Sequence, residues 1–176
     1  MKIFSFIGNV LDRLCIVAGA FIGSQIPQFM QQYTQRLAGH VEALQKLIDQ
    51  MRQIASFSNK TLEQYIEKFK ESSDLDFSRQ GDFMQGIVTR WQELHQALNH
   101  LTQSSIWLHP YYFLKDLQPD IAHSTLASFQ PGLSLTIEGL CYAGIGMILG
   151  WIFYQTLSQL IIFGYTRAQT IFKQNI

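Results

Sequence analysis

The sequence predicts an all-α chain that crosses a membrane twice and carries a helical hairpin between its spans. Two observations give the spans: residues 139–166 contain no Asp, Glu, Lys or Arg, and a second, shorter uncharged run covers 14–35. A third gives the hairpin. Between the runs, apolar residues recur at alternating three- and four-residue steps, with no competing strand-like alternation. The whole chain has 176 residues, with 13 basic and 13 acidic side chains, 15% charged and 47% hydrophobic. A nucleic-acid binder would show a strong basic excess, and disorder would show many charges and few aromatics. The two cysteines are too few for a disulfide scaffold or a cysteine-only zinc site.

Residues 1–29 form the first predicted span. Its apolar part, LCIVAGAFIG, ends at Ser24 and Gln25, with Pro27 following. Alone it is short of the roughly 20 residues needed to cross a hydrocarbon core. The apolar stretch IFSFIGNVL upstream completes it if Asp12 and Arg13 lie near the interface or neutralise one another. A cleaved signal peptide would leave only 14–17 as its apolar run before the Ala18-Gly19-Ala20 site, so an uncleaved anchor is the reading.

Residues 30–132 form the predicted extracytoplasmic helical domain. Met30, Tyr33, Leu37, His40, Leu44, Leu47, Met51 and Ile54 read as a heptad seam widened by Val41 and Ile48. The helix continues through Pro27 and ends near Phe57, with Ser58-Asn59 capping a short helix over 60–71. The segment SSDLDFSRQGD is expected to be a turn. Met84, Ile87, Trp91, Leu94, Leu98 and Leu101 then repeat the spacing, so an antiparallel, coiled-coil-like pair is predicted. Trp107, Tyr111, Tyr112 and Phe113 follow in an aromatic segment suited to a membrane–water interface, where it would contact lipid or a partner or seat the hairpin. A short helix over 119–129 and the Pro131-Gly132 break complete the domain.

Residues 133–166 form the second predicted span and 167–176 a cytoplasmic tail. Lys2 and Arg13 precede the first span, and Arg167 and Lys173 follow the second. The positive-inside rule therefore puts both termini in the cytoplasm and the middle outside it. Gly19 and Gly23 in one span, and Gly146 and Gly150 in the other, have the small-residue spacing that lets helices approach closely. The spacing leaves open whether these faces meet within one chain or between copies. Cys15 and Cys141 fall at opposite ends of antiparallel spans, too far apart for a disulfide.

No catalytic, cofactor or metal constellation emerges. The five histidines show no H-E-x-x-H, and His95 and His100 are five apart. His40, on the seam, is placed to approach His95 or His100 on the opposing helix. Asp74, Asp76 and Asp82 lack the spacing of a calcium loop. The remaining polar positions of interest are Asp12, Arg13 and Glu138, each beside a long apolar run.

Five segments together resemble a known family. They are LDRL (11–14), GxxxGxQxPxF (19–29), QYxQRLxGH (32–40), FxPGLxLTxEGL (129–140) and GxxxGW (146–151). They resemble the bacterial inner-membrane family catalogued as domain of unknown function 2937. The resemblance implies a two-span protein of Gram-negative bacteria and brings no catalytic residue with it. The expected function is that of a non-enzymatic scaffold or accessory subunit without cofactor, working through helix–helix contacts. Its expected partners are membrane lipids and a second copy or another membrane protein, with no nucleic acid. A lipid-handling or transport accessory using the aromatic segment is the alternative, and a metal-dependent membrane enzyme centred on the histidines is a third reading.

Overall fold

A computed structural model describes residues 2–105, 107–132 and 136–174, with side chains described for 8–105, 107–132 and 136–160. Among the described residues the chain is all-α, with six helices and no strands. They are α1 (Lys2–Phe57), α2 (Leu62–Lys70), α3 (Leu75–Gln103), α4 (His109–Lys115), α5 (Pro119–Ala127) and α6 (Ile137–Gln174). Both α1 and α6 are long and apolar enough to cross a membrane. The chain divides into two compact units, one comprising 1–30 and 130–176, the other 31–129. The side chains of Lys2, Arg167 and Lys173, which carry the expected orientation, lie outside the described residues, as does the LSL of the motif at 133–135.

In the unit of 31–129, two clusters of buried side chains form the core. Tyr33, Leu37 and Val41 of α1 pack with Leu94, Ala97 and Leu101 of α3 and Ile121 of α5. Ile48 and Met51 of α1 pack with Met84 and Ile87 of α3 and Leu62 and Ile66 of α2. Later residues of α1 thus meet earlier residues of α3, and the two helices run antiparallel.

The buried register of α1 differs from the heptad expected of it. Tyr33, Leu37, Val41, Ile48, Met51 and Ala55 are buried, with Leu44 partly so, whereas His40, Leu47 and Ile54 are exposed. The cause is the helical period. Six steps carry the buried set from Tyr33 to Ala55, about 3.7 residues each, which is the period of a nearly straight helix and not the 3.5 of a left-handed supercoil. His40 therefore does not reach the opposing helix, and the expected approach to His95 or His100 is absent. On α3, Ala97 is buried beside the partly buried Leu98.

Two boundaries also move. Helix α2 is capped by Thr61 and not by Ser58-Asn59. The Thr61 hydroxyl accepts the Gln64 N–H at 3.3 Å, while the Gln64 side chain accepts the Thr61 N–H at 3.1 Å. This reciprocal pair satisfies two donors that a helix start leaves open. Asn59 instead takes a left-handed backbone, φ 51°, a conformation its short polar side chain tolerates. The expected turn at DLDFSRQGD is mostly helix. Asp74 accepts the Asp76 N–H at 2.9 Å and starts α3 one residue on. Gly81 lies where a Cβ would meet the Lys70 backbone nitrogen at 2.6 Å, so glycine permits α2 and α3 to touch.

Candidate functional site

The closest helix contact lies in the unit of 1–30 and 130–176. A Cβ built on Gly19 would collide with the Gly146 carbonyl, and one on Gly146 would collide with the Gly19 carbonyl. The same holds for Gly23 against the Tyr142 carbonyl and for Gly150 against the Cys15 carbonyl. All four glycines of the two predicted stripes therefore form one seam within the chain. Helices α1 and α6 run antiparallel along it, backbone against backbone, as only residues without a side chain allow.

Hydrogen bonds close the seam at both ends. The Tyr154 hydroxyl donates to the Gly8 carbonyl at 2.8 Å. At the other end the Gln25 amide makes two bonds to Gly132, donating to its carbonyl and accepting its N–H, each 3.2 Å. Ser24 is buried and donates to the Phe21 carbonyl at 2.7 Å, one turn before Pro27. These polar partners were not visible as motifs. Their one signal was the resemblance segment GxxxGxQxPxF, which holds Gln25 at a fixed distance from Gly19.

Beside the seam runs an apolar groove of about 380 Å³, with Gly19, Gly23 and Gly146 as its floor and Ile22, Ile145 and Phe153 among its walls. Cys15 is half-buried on this face, and both cysteines are free. Asp12 is half-buried with one carboxylate oxygen sequestered and unpartnered, whereas Arg13 is exposed. Glu138 is half-buried in the first turn of α6.

The aromatic segment divides. Tyr112 and Phe113 pack on the core of the unit of 31–129, and Phe113 meets Tyr33 edge-on with ring centroids 5.1 Å apart. Trp107 and Tyr111 face outward. Because α4 (His109–Lys115) is a helix, residues 111 and 114 share one face and 112 and 113 fall on another, while Trp107 lies in the turn that precedes it.

The histidines are separated. His95 stacks on Trp91, ring centroids 4.8 Å apart, and His100 Nδ1 lies 2.7 Å from Asp116 Oδ2 with Tyr112 alongside. This pair joins α3 to the end of α4. It was not foreseen, since sixteen residues separate its partners and no local spacing signals it. Among the described residues no group of three or more His, Cys, Asp or Glu is placed to hold a metal. Arg90 of α3 reaches the Gln118 side chain at 2.8 Å and the Asp120 carboxylate at 3.2 Å, tying α5 to α3. Buried Tyr33 completes the junction by accepting the Gln118 N–H, and its burial raises the phenol's pKa above the ordinary value.

No curated protein and no solved structure matches the chain. A family model described as "Protein of unknown function (DUF2937)" matches residues 7–167. That range takes in the glycine seam, most of both helices that form it and the whole unit of 31–129. The chain therefore belongs to the DUF2937 family.

Proposed function

We propose that this protein is a membrane-anchored, non-enzymatic scaffold or accessory subunit of the bacterial inner membrane, acting through helix–helix contacts. In this reading α1 and α6 are its two spans and both termini are cytoplasmic. The unit of 31–129 is then a periplasmic helical hairpin. The carrying observation is the outward surface of the seamed helices. Val17, Phe21, Ile22, Ile148, Leu149 and Phe153 are all exposed, although the glycine faces are closed. Apolar surface this continuous is stable only against lipid or another apolar protein. The seam uses the glycines inside the chain and leaves those outer faces for partners.

The test is topological. Reporters fused near Asn59 and at Ile176 are expected to give a periplasmic and a cytoplasmic signal respectively, and the protein is expected to stay in the membrane pellet at alkaline pH. A cytoplasmic signal at Asn59 overturns the orientation. Partners captured from native membranes at fixed stoichiometry support the scaffold reading.

One observation favours a lipid-handling accessory as the second reading. Trp107, Leu108, Tyr111 and Leu114 are exposed apolar side chains in α4 and the turn before it, beside the half-buried Tyr112 and Phe113. Lipid that co-purifies with the protein and is lost on Trp107→Ala would favour it.

A further inference from the structure

One end of the unit of 31–129 is nearly free of charge. Its core is the cluster in which Tyr33 and Leu37 pack with Leu94, Leu101 and Ile121, so this end is built from residues 31–41 and 94–129. Those two stretches hold four Asp, Glu, Lys or Arg residues, against sixteen in 42–93. Three of the four are engaged: Arg36 with the Ser128 hydroxyl, Asp116 with His100, and Asp120 with Arg90. The fourth, Lys115, holds its ammonium 6.0 Å over the Tyr112 ring. Large apolar side chains of the same stretches face outward. Trp107 is 87% exposed, Leu114 73% and Leu126 65%, and Leu108 and Tyr111 are exposed beside them in the chain.

We infer that this end of the unit is an interfacial lipid-binding surface, with Trp107, Leu108, Tyr111, Leu114 and Leu126 seated in the headgroup layer of the bilayer that α1 and α6 cross. The inference rests on the membrane reading proposed above. The path of the chain is its first argument, because both connections to the proposed spans leave from this end. Within α1, Tyr33 follows residue 29, where the first predicted span ends, by four residues, about 6 Å of helix. Tyr33 is also where α4 and α5 attach: its ring meets Phe113 edge-on and its hydroxyl accepts the Gln118 N–H. Helix α5 ends at Ala127, ten residues before Ile137, the first residue of α6. The lipid surface is thus an apolar phase within reach of every copy, and no further protein is needed to cover these side chains.

Side-chain chemistry is the second argument. Trp and Tyr pair an apolar ring with a polar tip and concentrate at the membrane–water boundary. An interfacial element buries its apolar face about 5–10 Å into the boundary between headgroups and acyl chains, where an unpaired charge is costly. The scarcity of charge at this end removes that cost, and the Lys115 stem is long enough to hold its ammonium among lipid phosphates. A surface in water needs no such scarcity. Residues 42–93, with their sixteen charges, have the composition of one.

The chain has three tryptophans, Trp91, Trp107 and Trp151, so variants that keep one and carry Phe at the other two test this in phosphatidylcholine–phosphatidylglycerol vesicles. The lipids carry bromine, which quenches indole on contact, either near the top of the acyl chains or near their ends. Trp107 is expected to lose at least half of its fluorescence to the shallow bromines and less to the deep ones, with Trp91 quenched at least threefold less. Trp151, exposed on α6, is the control for the span and is expected to respond to the deep bromines. Trp151 quenched without Trp107, Trp107 quenched more by deep than by shallow bromines, or Trp91 quenched as strongly as Trp107 would overturn the interfacial surface alone. Trp107 shielded from both bromine and dissolved iodide would show that protein covers it and would overturn it too. Trp107 quenched without Trp151 sinks the anchor and leaves the surface standing, whereas neither quenched sinks both. A second measurement keeps Trp91 in place. A nitroxide on Trp107→Cys or Leu114→Cys, in a Cys15→Ala/Cys141→Ala background, is expected to favour collisions with oxygen over a water-soluble nickel chelate at least twofold more than one on Ser56→Cys; equal ratios overturn the surface.

Discussion

The hydroxyl of Tyr33 accepts the backbone N–H of Gln118 at 2.9 Å, joining positions 85 residues apart in the chain. Tyr33 has no exposed surface, so this oxygen is the designated partner for an N–H that leads directly into α5. Tyr33→Phe keeps the ring and its edge-on contact with Phe113 but strands that donor. A buried donor left unpaired costs about 1–3 kcal/mol. Chemical denaturation of the variant should show a loss in that range, with the helical signal of the native state unchanged.

The same residue predicts a pH dependence. Burial is the main cause that lifts the Tyr33 pKa, and the Gln118 N–H opposes it in part. The unfolded chain releases this proton near pH 10, while the folded chain holds it to higher pH. The stabilisation is therefore complete below pH 10 and declines as pH rises through the folded pKa. Wild-type stability should fall more steeply than that of Tyr33→Phe above pH 10, and equal slopes would refute this role.

His100 and Asp116 supply a third prediction. Their 2.7 Å contact is partly buried, with side chains 32% and 19% exposed. A hydrogen bond to a charged group contributes about 1.5–3 kcal/mol when well shielded, and the residual exposure puts this one near the lower end. His100→Ala and Asp116→Asn should each destabilise, and the double variant should lose about 1 kcal/mol less than the two losses added, since both break one contact. Additive losses in a double-mutant cycle would show that the pair does not couple α3 to α4.

How far the sequence foretold this fold depends on the range of each interaction. The long helices, their junction through Pro27 and the glycine stripes were legible because they are periodic and local. The register of α1 was misread because Leu47 and Ile54 satisfy a heptad as well as Val41 and Ile48 satisfy the straighter helix, and only the position of α3 decides which set is buried. The Asp74 cap was missed because a run rich in Ser and Asp reads equally as a turn. Tyr33 to Gln118, His100 to Asp116 and Gln25 to Gly132 were not legible as pairs. Each joins residues far apart in the chain, and such pairs leave no trace in local spacing.

Two glycines of α3 should respond to alanine in opposite directions. A Cβ on Gly86 meets no atom within 4 Å, whereas one on Gly81 meets the Lys70 nitrogen at 2.6 Å. In the open position alanine removes the conformational cost of a helical glycine, so Gly86→Ala should stabilise by about 0.5–1 kcal/mol. At Gly81 the backbone of α2 must retreat, and the expected loss is about 1–3 kcal/mol. Thermal melting of both variants would check the contrast.

The seam gives the sharpest version of that argument, because its helices meet through backbone alone. Gly19→Ala must displace the Gly146 carbonyl, and carbonyls held in a helix do not yield without moving α6. The hydrogen bond from Tyr154 to Gly8 and the two hydrogen bonds between Gln25 and Gly132 depend on the same spacing. A cost of about 1–3 kcal/mol is expected for either Gly19→Ala or Gly146→Ala. Gly144→Ala, on the same helix with nothing within 4 Å, should not destabilise and, like Gly86→Ala, should gain up to about 1 kcal/mol. Once the first alanine has pushed the helices apart, the second meets little resistance, so the double variant should lose clearly less than the two losses added. Unfolding in mixed detergent micelles measures all four. If Gly19→Ala and Gly144→Ala unfold alike, the seam is not what holds these helices together.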